Sequence, residues 1–283
     1  MTNILTVDVE EYFHPTEIQN AITRSALSSM PARAEVGLRV ILDLLAEHNT
    51  RATFFIVGWV AWRQPKLVRE ILAAGHEIGC HGSEHRLIYD LTPAQFRFDT
   101  LEAIRAIEDC CGMSPKAYRA PSFSITKDSL WALDVLAECG FTHDSSIYPV
   151  LHDRYGIPGF GRFAQVISTP SGPILEVPVT TVRLSSRIVP GGGGAYLRLL
   201  PYRYAAAAIR RVQRVDNRPA CLYVHTWELD TDQPRLATNI VSHVRTYAGL
   251  KSMRWKMQRL LKEFPFSTLT NVYPTGCLLD KTA

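Results

Sequence analysis

Short apolar runs alternate along this chain with longer segments whose apolar residues recur every three to four positions. "NILTVDV" (3–9), "RATFFIV" (51–57) and "HEIGC" (76–80) read as buried strands. Between them, "PARAEVGLRVILDLLAEHN" has helical spacing with Pro31 suited to a first turn, and "QPKLVREILAAG" is a helix that Gly75 ends. Thr92-Pro93-Ala94-Gln95 combines an N-cap, a first-turn proline and a capping-box glutamine, which predicts a helix running to about Gly112. The order then continues. "KAYRA" is a strand, "TKDSLWALDVLAECG" a helix over 126–140, and "FTHDS" and "ILEVPVT" are strands. "PYRYAAAAIRRVQ" is a helix and "PACLYVH" a strand. "IVSHVRTYAGLKSMRWKMQRLLKEF" is helical with a break near Gly249, and "STLTNVY" reads as a last strand.

Seven or eight β/α units in one chain predict a parallel α/β architecture. There is no internal repeat and no low-complexity linker, so one domain over 1–283 is expected. Irregular stretches at 10–30 and 146–172, and the glycine run 191–194, stand out as long enough to carry function.

Composition narrows the function classes. With 31 basic and 27 acidic residues the net charge is +4, and no dense Lys/Arg block points to nucleic acid. No apolar run approaches the ~18 residues of a membrane span. Met1-Thr2-Asn3 leads into the first strand without a leader pattern. The six cysteines show no CxxC and fit reduced core packing, so a cytoplasmic protein is expected.

The unusual polar residues fall at carboxyl ends of predicted strands: Asp8 and Glu10, His81 and His85, Arg119, Asp144 and His225. In a closed β/α barrel those ends share one face, which predicts that these side chains converge. Asp8 and Glu10, two apart on an extended chain, point to the same side, and a cation beside them would relieve their repulsion. Glu11 points the other way and reads as structural. His81 and His85, at i and i+4 in "HGSEH", place two imidazoles on one face, and two imidazoles with one carboxylate suit zinc or another divalent transition metal. Arg119 can hold a carboxylate ionised, and Asp144 can orient His225 or simply cap a turn. Phe123, Tyr148 and Trp227 are candidates to stack on a sugar ring, or are core. "PGGGGAY" fits no phosphate-loop spacing and reads as a loop needing close backbone approach. His14 has no assigned role.

The set "TVDVE", "HGSEH", "YRAPSFS", "HDSSIYP" and "LYVHTWE" resembles the NodB-type polysaccharide deacetylases of carbohydrate esterase family 4, closest to the branch found with bacterial exopolysaccharide and exosortase systems. The resemblance spans nearly the whole chain. It implies a distorted (β/α)7 barrel, with residues 236–283 as the branch's own C-terminal helical extension. It also implies Asp8 as general base, Glu10, His81 and His85 as metal ligands, Arg119 positioning Asp8, and His225 as general acid with Asp144 near it. The partner implied is an N-acetylated polysaccharide or oligosaccharide, met at the inner membrane face as a lipid-linked precursor; the oligomeric state, a homodimer included, is left open. A backbone N–H near Phe123 is the expected oxyanion donor.

Three departures carry expectations. Val9 separates Asp8 from the displaced ligand Glu10. Thr226 follows His225 where proline is expected, which would loosen the loop carrying Trp227. The fourth motif lacks an Asp-Trp ending, so the acetyl pocket would differ. A related amidohydrolase acting on a small cyclic amide and a non-catalytic sugar-binding barrel are the competing classes.

Overall fold

Strand β1 (Asn3–Val9) is buried along its whole length, as a strand covered on both faces must be, and everything else is arranged around it. The computed structural model describes residues 1–19, 29–185 and 187–278. β1 pairs in parallel with β2 (Thr53–Ile56) on one side and with β10 (Cys221–His225) on the other. The parallel ladder continues through β3 (Glu77–Cys80), β4 (Ala117–Tyr118), β5 (His143–Asp144) and β7 (Gly172–Glu176). Seven parallel strands therefore run in the order β10-β1-β2-β3-β4-β5-β7, with β6 (Gln165–Thr169) antiparallel on the edge of β7. The seam between β7 and β10 is closed beyond the strand ends. The Thr180 N–H donates to the Cys221 carbonyl at 2.9 Å, and the Cys221 N–H to Thr180 Oγ1 at 2.7 Å. The result is the α/β fold expected from the alternation, a distorted (β/α)7 barrel.

Local signals explain most boundaries. The helix Pro93–Cys111 carries the predicted capping box, Thr92 with Gln95, and stops at Gly112, whose φ of 71° is left-handed. The C-terminal helical stretch breaks at Gly249 (φ 81°) into Ile240–Tyr247 and Leu250–Glu263. One core cluster, running from Leu5 to Phe266, joins both ends of the chain.

Several boundaries differ from the sequence reading. The helix Ala34–Glu47 begins after Pro31, because the Glu11 carboxylate caps it by accepting the N–H groups of Arg33 (2.6 Å) and Ala34 (3.0 Å). Glu11 is thus structural, as expected. The last strand is two residues, β11 (Phe266–Ser267), lying upstream of the predicted one; Thr268 then caps a helix, Leu269–Val272, through the Asn271 N–H. Of "ILEVPVT" only Ile174–Glu176 is strand, and the run is followed by an unpredicted hairpin of β8 (Thr181–Leu184) with β9 (Arg187–Pro190). Of the irregular stretch 10–30, residues 20–28 lie outside the described residues. Cys80, Cys110, Cys111, Cys139 and Cys221 are free thiols, and burial pushes Cys221 up to about 11. Among the described residues no helix is long and apolar enough to cross a membrane.

Between β2 and β3, the buried His76 accepts the Ala52 N–H at Nδ1 (3.3 Å), and burial together with nearby Arg51 lowers it to about 4. Unfolded, it titrates near ~6.5, so unfolding takes up a proton between those values. The contribution of neutral His76 is complete above about pH 6.5 and is lost as pH falls toward about 4. Urea midpoints measured across that window are expected to fall less steeply for His76→Gln than for wild type; parallel slopes would refute the role.

Candidate active site

Asp8, on β1, and Arg119, just after β4, come from strands separated by β2 and β3, yet they meet on the carboxyl face of the barrel, and both are buried. Arg119 Nη1 donates to Asp8 Oδ1 at 2.8 Å and to Thr6 Oγ1 at 2.7 Å. Its Nε and Nη2 donate to the carbonyl and hydroxyl of Ser145, and the guanidinium lies 4.5 Å from the Phe55 ring centroid. Every hydrogen-bonding edge of the guanidinium is thereby engaged, which is what a fully buried cation requires.

The backbone of Arg119 does a second job. Its carbonyl accepts the Nδ1–H of His81 at 2.7 Å, which turns His81 Nε2 toward Glu10 Oε1, 2.9 Å away. His85 Nε2 is 3.0 Å from the same oxygen. A carbonyl only accepts, so His81 Nε2 offers a lone pair to a carboxylate oxygen unless the ring holds a second proton. Two lone pairs at that distance need a cation between them. The donor set of two imidazoles and one carboxylate, with its ring nitrogen oriented by a backbone carbonyl, fits a divalent metal. Glu10 is held well below the usual carboxylate range; burial opposes this, but His85, His225 and His81 outweigh it.

His225 sits across from this cluster. Its Nε2 is 3.9 Å from Asp8 Oδ2 and its Nδ1 is 3.1 Å from Glu228 Oε2. Burial disfavours its charge, yet Glu228, Glu10 and Asp8 push it up to about 9. Glu228 is buried and also accepts the His225 N–H (3.0 Å) and Arg198 Nε (3.0 Å). Arg198 in turn donates to the carbonyls of Arg245 and Ala248. Glu228 was not singled out from the sequence, although "HTWE" places it three residues after His225 at the start of a turn.

The predicted face does assemble Asp8, Glu10, His81, His85, Arg119 and His225. It does not pair Asp144 with His225: Asp144 is not part of the cavity wall, and its carboxylate is engaged by Ser146 and Glu176. Asp144 is fully buried opposite Glu176 on β7. Burial raises both carboxyls, Glu176 the more strongly because Asp144 faces it. Asp144 accepts from the Ser146 hydroxyl, which accepts the Ala120 N–H at 2.8 Å, so Asp144 braces the backbone next to Arg119. Tyr148 is also corrected. It is fully buried, stacks beneath Tyr155 and directs its hydroxyl to the Gly192 carbonyl, away from the cavity.

Phe123 and Trp227 do line the cavity, but each has further work. Trp227 Nε1 donates to Glu10 Oε2 at 3.2 Å and its ring stacks on His225. The Phe123 N–H is taken by the Ala120 carbonyl (3.1 Å), so that amide is not a free oxyanion donor. Thr226 does not loosen its loop. Its hydroxyl lies 3.0 Å from the Glu10 nitrogen, which donates to it, and it donates to the Glu10 carbonyl at 2.6 Å. His14 is buried, stacks on His85 at 5.4 Å, and accepts the Glu11 N–H at Nδ1; burial lowers it to about 3. The cavity above these groups is about 300 Å³, at the small end for ligand sites.

The glycine run makes the close approach expected of it, and two of its members make it against residues of the site or next to them. A Cβ on Gly193 would lie 2.6 Å from the Tyr223 ring, and one on Gly194 only 1.9 Å from Glu228 Oε2.

Residues 34–143 match a family model described as polysaccharide deacetylase, and residues 145–274 match one described as a domain of unknown function, DUF3473. The chain is 37% identical over 98 residues to a chitooligosaccharide deacetylase of Bradyrhizobium sp. (strain ANU 289), covering 34% of this chain and 42% of that protein. It is 33% identical over 144 residues to a peptidoglycan-N-acetylglucosamine deacetylase of Bacillus cereus, covering 47% of this chain and 51% of the relative. The matched stretches thus span about half or less of these relatives. A crystal structure titled as a polysaccharide deacetylase from Mycobacterium smegmatis superposes with a TM-score of 0.63 at 18% identity, covering 99% of this chain and 92% of that one. PuuE allantoinase superposes with 0.62 at 16% identity, covering 96% and 88%. At such identities these two structures share the fold.

Gly194→Ala is expected to displace Glu228 and cut any turnover at this site by about tenfold or more, as loss of an orienting partner does. Turnover equal to wild type, with an unchanged thermal midpoint, would remove Glu228 from the site.

Proposed function

We propose that the chain, whose residues 34–143 match a polysaccharide deacetylase model, is a metal-dependent hydrolase that removes N-acetyl groups from hexosamine residues of a bacterial exopolysaccharide or its precursor. The observation that carries this reading is the convergence of Glu10 Oε1, His81 Nε2 and His85 Nε2 beside an arginine-held carboxylate and a charged imidazole. Binding alone needs neither a base nor an acid.

Glu10, His81 and His85 would hold the metal, with zinc suited to the donor set. Bound there, it supplies the Lewis acidity that polarises an acetamido carbonyl and makes water acidic enough to be deprotonated near neutral pH. Asp8 uses one oxygen for Arg119 and keeps Oδ2 to take the proton of the attacking water. His225, held protonated by Glu228, delivers a proton to the nitrogen as the C–N bond breaks, leaving acetate and a free amino sugar. Residues 1–283 are read as one domain, with 236–283 an extension packed on the barrel. A lipid-linked precursor at the inner membrane face is the setting that fits a cytoplasmic location.

Acetate release from N-acetylglucosamine oligomers is expected to stop with chelator and return with zinc. Hydrolysis of a cyclic amide such as allantoin, with none of the oligomers, would transfer the chain to the small-amide class. Asp8→Asn is expected to keep metal and lose about 10²–10⁴ in kcat, whereas His81→Ala loses both metal and turnover. Full activity in Asp8→Asn sinks the assigned base. Glu228→Gln removes an anion beside His225, so His225 gives up its proton at lower pH. The alkaline limb of the kcat/KM profile should therefore move to lower pH; an unmoved limb counts against His225 as the acid.

A further inference from the structure

A second stretch of the cavity wall, with no hydrogen bond or ion pair to Asp8 or His225, is formed by His152, Arg154, Tyr155, Tyr196 and Arg245, the last in the final turn of the helix Ile240–Tyr247. His152 stacks on Tyr155 at 3.7 Å, and the hydroxyls of Tyr155 and Tyr196 hydrogen-bond to each other. Arg154 Nη2 donates to Glu17 Oε1 at 2.6 Å, so one carboxylate offsets one guanidinium. The Arg154 Nε–H is buried and without a partner among the described residues. Asp153 sits on His152 but its side chain is 65% exposed and outside the cavity wall.

Arg245 differs from Arg154. It borders the same cavity, and among the described residues no carboxylate pairs with it. Its backbone is nevertheless fixed, since its carbonyl accepts from Arg198, the buried arginine that also holds Glu228. The cavity therefore holds, besides the acid–base pair, an exposed guanidinium with no carboxylate partner among the described residues and an unused arginine N–H donor. Planar guanidinium donors match carboxylate and phosphate oxygens. A neutral sugar leaves that match unused.

We propose that this stretch of the cavity wall is an anion subsite, taking a carboxylate or phosphate group carried next to the sugar whose N-acetyl group is cleaved. The proposal rests on the deacetylase reading for the rest of the cavity. It makes the substrate an anionic N-acetylated glycan in place of a neutral chitin-like oligomer. Arg245 is exposed, so the preference weakens as salt rises.

The test uses ligands without an amide, so binding is read apart from turnover. Calorimetry on the full chain compares cellobiouronic acid with cellobiose, and glucose 1-phosphate with glucose. The anionic member of at least one pair is expected to bind about tenfold tighter, as one charge-assisted hydrogen bond supplies. Arg245→Gln should collapse that ratio, and raised salt should shrink it. Gain only with glucose 1-phosphate assigns the anion to a phosphate, and gain only with the uronate to a carboxylate. Equal binding within both pairs, or a ratio unchanged in Arg245→Gln, overturns the subsite. Anion preference with no acetate release from either neutral N-acetylglucosamine oligomers or oligomers carrying N-acetylglucosamine next to a uronate or phosphate upholds the subsite and defeats the deacetylase reading. Acetate release without anion preference does the reverse.

Discussion

The structure of the site depends on one buried cation. Arg119 has no solvent to share its charge with, so each donor must be satisfied by a fixed protein acceptor. Those acceptors are Asp8, Thr6 and Ser145, from β1 and from the segment after β5. The ion pair therefore stitches three parts of the barrel at the level where chemistry is done. Breaking such a buried pair by removing one partner costs roughly 3–5 kcal/mol, because the other charge is stranded. The same residue sets the tautomer and direction of His81 through its carbonyl. The position of Asp8 and the orientation of His81 are thus not independent features.

A second buried arginine plays the matching part beside His225, at the end of β10. Arg198 binds Glu228, and through the carbonyls of Arg245 and Ala248 it ties the C-terminal helices to the acid side of the site. Glu228 can lie where it does only because Gly194 has no side chain. The segment that matches the deacetylase model contributes His81, His85 and Arg119. The segment matching the domain of unknown function contributes His225, Glu228, Arg198 and the cationic stretch of the cavity wall. Asp8 and Glu10 precede both matches. No single matched segment contains a working set.

The fold was legible because its signals are local. Apolar runs, the Thr92–Gln95 capping box and the breaks at Gly112 and Gly249 each depend on a few adjacent residues. Convergence of the six site residues followed from one topological rule about strand ends. What escaped the sequence depended on distances that no local pattern encodes. Asp144 is turned into the barrel toward Glu176 and Ser146, and is spent on bracing Ala120 through Ser146. Tyr148 points inward because Tyr155 covers it. Pro31 was a plausible helix start, but the carboxylate that caps the helix comes from Glu11 on a different element.

The first motif shows how a departure in sequence can keep its geometry. With Val9 between them, Asp8 and Glu10 both face the site while Val9 is fully buried in the core. Glu10 lies beyond the end of β1, so the ladder with β2 no longer fixes its backbone. Thr226 supplies that missing constraint, accepting the Glu10 N–H and donating to the Glu10 carbonyl with one hydroxyl. Proline at 226 has no hydroxyl and could do neither. Trp227 completes the restraint from the side chain, donating to Glu10 Oε2 and leaving Oε1 to the two histidines. The displaced acid and the residue after His225 are therefore two parts of one adjustment: moving the ligand past the strand end requires a neighbour that can hold an unladdered backbone in place.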